Sequence, residues 1–274
     1  MCIVACLQIN ANHIVEENLR QVQEIVAQSA DKFDILLLPE NFAHMPRNEK
    51  ERLDYAESFQ SGRIQSFLSQ LAQQHDCWVI AGSVALIADR INDENTTRVF
   101  QSCLVYDESG TLTKRYDKVH LFDVTLENGE TYHESQYIEP GDPDQDATVK
   151  TPWGIMGLSI CYDLRFPEFY RSMPDKTFLI CVPAAFTYKS GEAHWQTLLR
   201  ARAIENQVYI AASAQTGKHS NKRSTWGHSM IVDPWGEIKN CITKNQGLIC
   251  TAIDFEYIQQ LRQHFPCLEH RRKH

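Results

Sequence analysis

No stretch of this chain stays apolar for the ~20 residues that a membrane-spanning helix requires, so a membrane partner is not expected. Paired cysteines at Cys-x-x-Cys spacing are also missing. The nine cysteines are odd in number and scattered, which argues against a disulfide framework or a zinc site and for free thiols in a reducing compartment. Positive charge is short: 27 Lys and Arg face 35 Asp and Glu, for a net charge of −8. That balance, with a pI near 5.8, argues against nucleic acid or an anionic surface as partner. The one basic run, His270 to His274, reads as a solvated end. Met1 to Leu7 lacks the basic region and the length of a signal peptide. Low-complexity segments, linkers and helical repeats are absent as well. These gaps leave a cytoplasmic, single-domain protein over residues 1–274, with no cofactor or metal expected.

What is present suits a sizeable core, since 43% of the residues are hydrophobic and 10% aromatic. Cys2 to Gln8 reads as a strand. Val15, Leu19, Val22 and Val26 follow at helical spacing, with Asn12 available to cap. Phe33 to Leu38 is a continuous apolar run of the kind buried on both faces. Pro39 ends it and presents Glu40 just past the strand. Ser61 opens a helix with Ile64, Phe67, Leu68 and Leu71 on one face, leading to a strand from Trp78 to Gly82. Phe100–Tyr106 and Leu112–Tyr116 flank the turn Asp107–Gly110 as a hairpin. The polar segment Asp123 to Gln145 is long enough to be an active-site wall.

Ile155 to Ile160 reads as a buried strand that stops at Cys161. Asp163 is a possible helix cap there, and Pro167-Glu168 are helix-opening residues. A thiol at the carboxyl end of a strand sits where α/β proteins place ligands, and a nearby helix N-terminus lowers its pKa. Taken alone, Cys161 reads more readily as a small buried hydrophobe, as most cysteines are. Phe178 to Pro183 is another buried strand with a proline at its end. A helix from about Ala193 to Asn206 and a strand from Val208 to Ala212 come next. The hairpin Ser229–Val232 turns at Asp233–Gly236, the strand Leu248–Ile253 follows, and a helix from Tyr257 to His264 closes the chain. Helices alternating with strands early and hairpins later imply an α/β fold with a mixed sheet or two sheets.

Glu40, Lys118 and Cys161 all stand just past strands, and together they suit acyl transfer. The thiol attacks, the carboxylate moves protons, and the ammonium supports the oxyanion. A Cys161–His120–Asp163 set of peptidase type is an alternative, because Lys118 and His120 share a strand face. His219 and His228 near Asp233 lack metal-ligand spacing. Arg165, beside the thiol, would either hold a substrate carboxylate or pair with Glu168 or Glu205. The helix bearing Arg200, Arg202 and Glu205 reads as a packing or dimer surface.

Leu37-Leu38-Pro39-Glu40, Lys114 to Asp123 and Gly157 to Glu168 resemble the three signature segments of the nitrilase (carbon–nitrogen hydrolase) superfamily. The likeness runs from about Cys2 to Arg272. It implies a four-layer α-β-β-α sandwich, a Glu40–Lys118–Cys161 triad, and association through the α faces as a homodimer or larger homo-oligomer. It also implies that Glu134, in His133-Glu134-Ser135, orients Lys118 or the attacking water. His194-Trp195, Leu199 to Glu205, Gly227 to Gly236, and Ala214 to His219 with Arg223 are similar to the branch of deaminated-glutathione amidase and omega-amidase. That branch implies a cofactor-free amidase for a small carboxylic acid, with Tyr162, Arg165, Phe186 and Thr187 lining the substrate site. A nitrilase, or a non-catalytic interaction protein on the same fold, is the alternative. Two departures stand out: Lys189-Ser190 in the substrate loop, and no glycine-alanine pair between Met173 and Thr177.

Overall fold

The computed structural model describes residues 1–88, 98–125, 129, 131–219 and 223–272. Parts of the expected polar wall (126–128 and 130) and of the basic tail (Lys273 and His274) lie outside the described residues.

The first half builds one sheet from β1 (Cys2–Gln8), β2 (Ile35–Leu37), β3 (Trp78–Ile80), β4 (Val84–Ile87), β5 (Val99–Tyr106) and β6 (Leu112–Asp117). Helices α1 (Val15–Ala27) and α2 (Arg63–His75) connect its early strands, which pair in parallel as such crossovers require. A small hairpin of β7 (Asp123–Thr125) and β8 (Thr131–His133) follows. The second half supplies β9 (Thr148–Thr151), β10 (Gly154–Leu158), α3 (Pro167–Arg171), β11 (Thr177–Ala184), α4 (Tyr188–Asn206) and β12 (Tyr209–Ala214). It continues with the short hairpin β13 (Thr216–Lys218) and β14 (Ser224–Trp226), then β15 (Ser229–Val232), β16 (Ile238–Ile242), β17 (Gly247–Ile253) and α5 (Phe255–His264). The second sheet runs β16-β15-β12-β11-β10-β9. β17 returns to the first sheet, antiparallel to β1.

The alternation of side chains along a strand explains the layers. Cys2, Val4, Cys6, Ile35, Leu37, Trp78 and Ile80 face the second sheet and join its core. Their neighbours Ala5, Leu7, Leu36, Leu38, Val79 and Ala81 face α1 and α2 in a separate core. The central strands β2 and β3 are therefore buried on both faces and read as unbroken apolar runs. On the far side of the second sheet, Tyr170 of α3 and Trp195, Leu199 and Ala203 of α4 complete the fourth layer.

Several expectations need correction. Asn12 does not cap α1; its Oδ1 accepts the Ile14 N–H, and the cap position falls on Ile14 without a side-chain bond. α2 starts at Arg63 rather than Ser61, and the Glu57 carboxylate, reaching from outside the helix, accepts the Ile64 and Gln65 N–H groups. Pro183 lies inside β11, paired with Ser213 of β12. This is tolerated because the ladder to β10 has already ended at Cys181. α4 begins at Tyr188, five residues before Ala193, because Gly191 lets its first turn close on Trp226; a Cβ there would lie 2.3 Å from the Trp226 Cβ.

Candidate active site

Three chain segments deliver the expected residues to one place. β2 ends at Leu37, and Glu40 follows the Leu38-Pro39 step. The peptide after Glu40 turns sharply: Asn41 is left-handed (φ 58°), and the Ser83 hydroxyl accepts its N–H. The Glu40 carbonyl accepts from Gln215 Nε2. Lys118 comes one residue past β6, at the edge of the first sheet. Cys161 comes three residues past β10 in the second sheet and opens a 3₁₀ turn (Cys161–Arg165).

Lys118 Nζ donates to Glu40 Oε1 at 2.8 Å and to Glu134 Oε2 at 2.9 Å. All three side chains are buried: Lys118 is 1% exposed, Glu40 3% and Glu134 5%. Glu134 is fixed in turn by the Phe122 N–H at 2.8 Å. The Cys161 thiol shares the pocket floor with Glu40, Lys118 and Ala185. Burial pushes the Glu40 carboxyl up, but the Lys118 ammonium, the bonds from Lys118 and Cys161, and the charge of Arg52 outweigh it and hold it below the usual range. Burial would neutralise Lys118, yet Glu134 and Glu40 raise it above an ordinary lysine. Burial and the Glu40 charge push the Cys161 thiol well above its ordinary value, and Lys118 does not offset them. The net direction is opposite to the lowering expected from a helix N-terminus. These directions describe a carboxylate, an ammonium and a protonated thiol at neutral pH.

A second charged layer supports this one, and the sequence did not reveal it. Arg52, 2% exposed, donates from Nε to Glu49 at 2.6 Å and from Nη1 to Asn41 Oδ1 at 2.8 Å. Burial opposes ionisation of Glu49, but Arg52 and Arg223 hold its carboxyl down to about 2. Nothing in the short helical turn around Glu49 and Arg52 marks it as near Glu40, which is why spacing could not find it.

The thiol opens into a pocket. Tyr162, Arg165, Phe186 and Thr187 line it, as expected, and so do Phe122, Tyr132, Ser190 and Arg223. Ser190 was legible only as a departure from the resemblance. The Arg165 guanidinium lies 5.8 Å from the Tyr162 ring and 5.3 Å from that of Phe186, and its polar contact is His194 Nδ1 at 3.3 Å. It does not take up Glu205, which pairs with Arg202 instead. Arg202 itself is buried and donates twice to the Leu164 carbonyl, so it secures the turn behind Cys161 rather than forming an outer surface.

The rival groupings fare differently. His120 Nδ1 sits 2.7 Å from Asp163 Oδ1, but the pair does not line the thiol pocket. Asp163 caps the 3₁₀ turn from within by accepting the Ile160 N–H, and Pro167 opens α3 with Phe166 at the cap position. His219 is held by the Ala11 carbonyl and the Thr225 hydroxyl, while His228 stacks on Trp226.

The chain matches the carbon-nitrogen hydrolase family over residues 3–263. It is 39% identical over 274 residues to the deaminated glutathione amidase of Dictyostelium discoideum, covering 97% of this chain and 92% of that one. Among solved structures, Saccharomyces cerevisiae Nit3, of branch 10 of the nitrilase superfamily, is 28% identical with a TM-score of 0.85, over 99% of this chain and 97% of that one. The Caenorhabditis elegans NitFhit protein is 34% identical with a TM-score of 0.86, and the chain spans 65% of that longer protein. Fold, site and relatives agree, and this chain belongs to the carbon-nitrogen hydrolase family of the nitrilase superfamily, as an α-β-β-α sandwich.

Proposed function

We propose that this amidase cleaves the C–N bond of a small carboxylic acid amide through a thioester on Cys161. The observation that carries the reading is the buried Glu40–Lys118 pair beside the half-buried Cys161, at the floor of a pocket walled by Arg165. Glu40 takes the thiol proton as the sulfur attacks the amide carbon. The oxyanion is held by the Lys118 ammonium and a backbone N–H beside Cys161. Protonated Glu40 then hands its proton to the leaving amine. In the second half Glu40 activates water, which attacks the thioester and releases the acid. Glu134 keeps Lys118 charged and aimed throughout.

Arg165 binds the substrate carboxylate, since no carboxylate of the protein engages it among the described residues. Tyr162, Phe186 and Thr187 shape the wall around it. With Arg223 as a second cation at the pocket, the substrate is of the deaminated-glutathione or α-ketoglutaramate type. Residues 1–274 form one catalytic domain, because the triad draws on both sheets. Exposed Trp235, Phe265 and Ile204 support pairing of two copies, and nine unpaired thiols support a reducing cytoplasm. No helix among the described residues is long and apolar enough to cross a membrane.

Amine or ammonia release is measured on α-ketoglutaramate, deaminated glutathione, glutamine, β-ureidopropionate and the nitrile of a matching acid. One of the first two should give the highest kcat/KM, the nitrile should turn over least, and Cys161→Ala should be inactive. Turnover by Cys161→Ala, or preference for the nitrile, would overturn the reading.

A further inference from the structure

The buried carboxylate of Asp163 takes no part in the chemistry above, yet it grips both catalytic segments. Its Oδ2 accepts from the Tyr116 hydroxyl at 2.7 Å and from the Ile160 N–H at 2.8 Å. Its Oδ1 accepts from the His120 N–H at 3.1 Å and lies 2.7 Å from His120 Nδ1. Tyr116 and His120 stand two residues to either side of Lys118, while Ile160 and Asp163 enclose Cys161. One side chain thus ties the lysine segment of the first sheet to the cysteine turn of the second.

The groups around this carboxylate are themselves held. The His120 ring stacks on Phe166 with centroids 3.7 Å apart, and Phe169 meets it edge-on. Tyr116 is fully buried in the inter-sheet core. Cys161 is left-handed, with φ at 48°, a conformation that a non-glycine residue keeps only when its surroundings enforce it. Asp163 supplies that enforcement from both sides: its carboxylate accepts the Ile160 N–H, and its own N–H donates to the Ile160 carbonyl at 3.1 Å.

We propose that Asp163 is a positioning residue: it sets the Cys161 sulfur against Glu40 and Lys118 by fastening the two segments to one buried carboxylate. It does not line the pocket and touches no reacting atom. A misplacement of about 1 Å in such a site costs about 10²-fold in rate. The inference rests on the triad reading above.

The test is Asp163→Asn, compared with Tyr116→Phe and with both together. Whichever way the new amide turns, its NH₂ meets a backbone N–H, that of Ile160 or that of His120. The expected result is a kcat lower by roughly 10- to 10²-fold, with KM within about twofold, in a protein that keeps its far-UV circular dichroism and a cooperative melt. Alkylation of Cys161 by iodoacetamide, followed by peptide mass spectrometry, should slow in the same proportion. Tyr116→Phe should lower kcat a few-fold, and the double variant should lose little more than Asp163→Asn alone. A folded Asp163→Asn with wild-type kcat, or a lowered kcat with unchanged alkylation, overturns the proposal. If Asp163→Asn fails to fold, Tyr116→Phe decides, and wild-type kcat and alkylation there overturn it. Activity surviving in Cys161→Ala would sink the triad itself, whereas an inactive Cys161→Ala beside a fully active Asp163→Asn sinks only the role of Asp163.

Discussion

Replacing Lys118 by methionine removes one charge from a buried site while nearly keeping the side chain's volume. The ammonium bridges Glu40 and Glu134 at 2.8 and 2.9 Å, and without it two buried carboxylates face one another. Breaking a buried ion pair from one side costs about 3–5 kcal/mol. The sign of the pH dependence then distinguishes this cause from simple misfit. In the wild type, the lowered Glu40 pKa contributes stability above the unfolded value of about 4.3 and loses it as pH falls through the folded value. In Lys118→Met, burial and like charge raise a carboxyl of the pair above its unfolded value. The folded state then binds a proton that the unfolded state releases, so stability recovers as pH falls from 8 toward 5. Urea unfolding of both proteins at pH 5.5 and pH 8 measures this, with the larger deficit expected at pH 8. Turnover should fall by at least the 10²–10³ expected for a lost oxyanion donor. A deficit equal at both pH values, or larger at pH 5.5, would refute the electrostatic account.

Further outcomes follow from the same geometry. Arg165→Met should raise KM for a carboxylate-bearing amide by 10-fold or more while kcat falls less, and Arg165→Lys should restore only part, since a bidentate fork is lost; an unchanged KM in steady-state assays would remove Arg165 from the binding wall. Because the Cys161 thiol is pushed well above its ordinary value, its alkylation rate should still be climbing at pH 9, and a plateau below pH 8 would mean a resting thiolate. Gly191→Ala, whose Cβ would meet Trp226, should lower stability by about 1–3 kcal/mol, read as a fall in Tm. Glu40→Gln should abolish turnover while the protein still folds, and activity within tenfold of wild type would reassign the base.

Much of the chemistry was legible because three polar side chains interrupt apolar runs at the ends of strands. Glu40 after Leu38-Pro39, Lys118 after the hairpin and Cys161 after Ile160 stood out by their placement past strands, and Glu134 only through the family resemblance. The Arg52–Glu49 layer was not, since its role is set by contacts across more than ten residues and by burial that charged side chains do not advertise. The start of α4 was missed because a glycine in its first turn looks like a break until Trp226 is seen against it. β4, β13 and β14 have only three or four residues each, too few to show a period, and Pro183 looked like a stop because the end of β10 beside it cannot be read from sequence.

Of the three groups proposed to react, Glu40 and Lys118 hang from the first sheet and Cys161 from the second. Catalytic alignment is therefore a property of the seam between layers, and not of either layer by itself. With the triad as proposed, sliding of one sheet over the other should stop turnover with every strand still paired. On heating, inactivation should thus precede the loss of β-structure, and turnover becomes a sensor of how firmly the two halves of the sandwich grip.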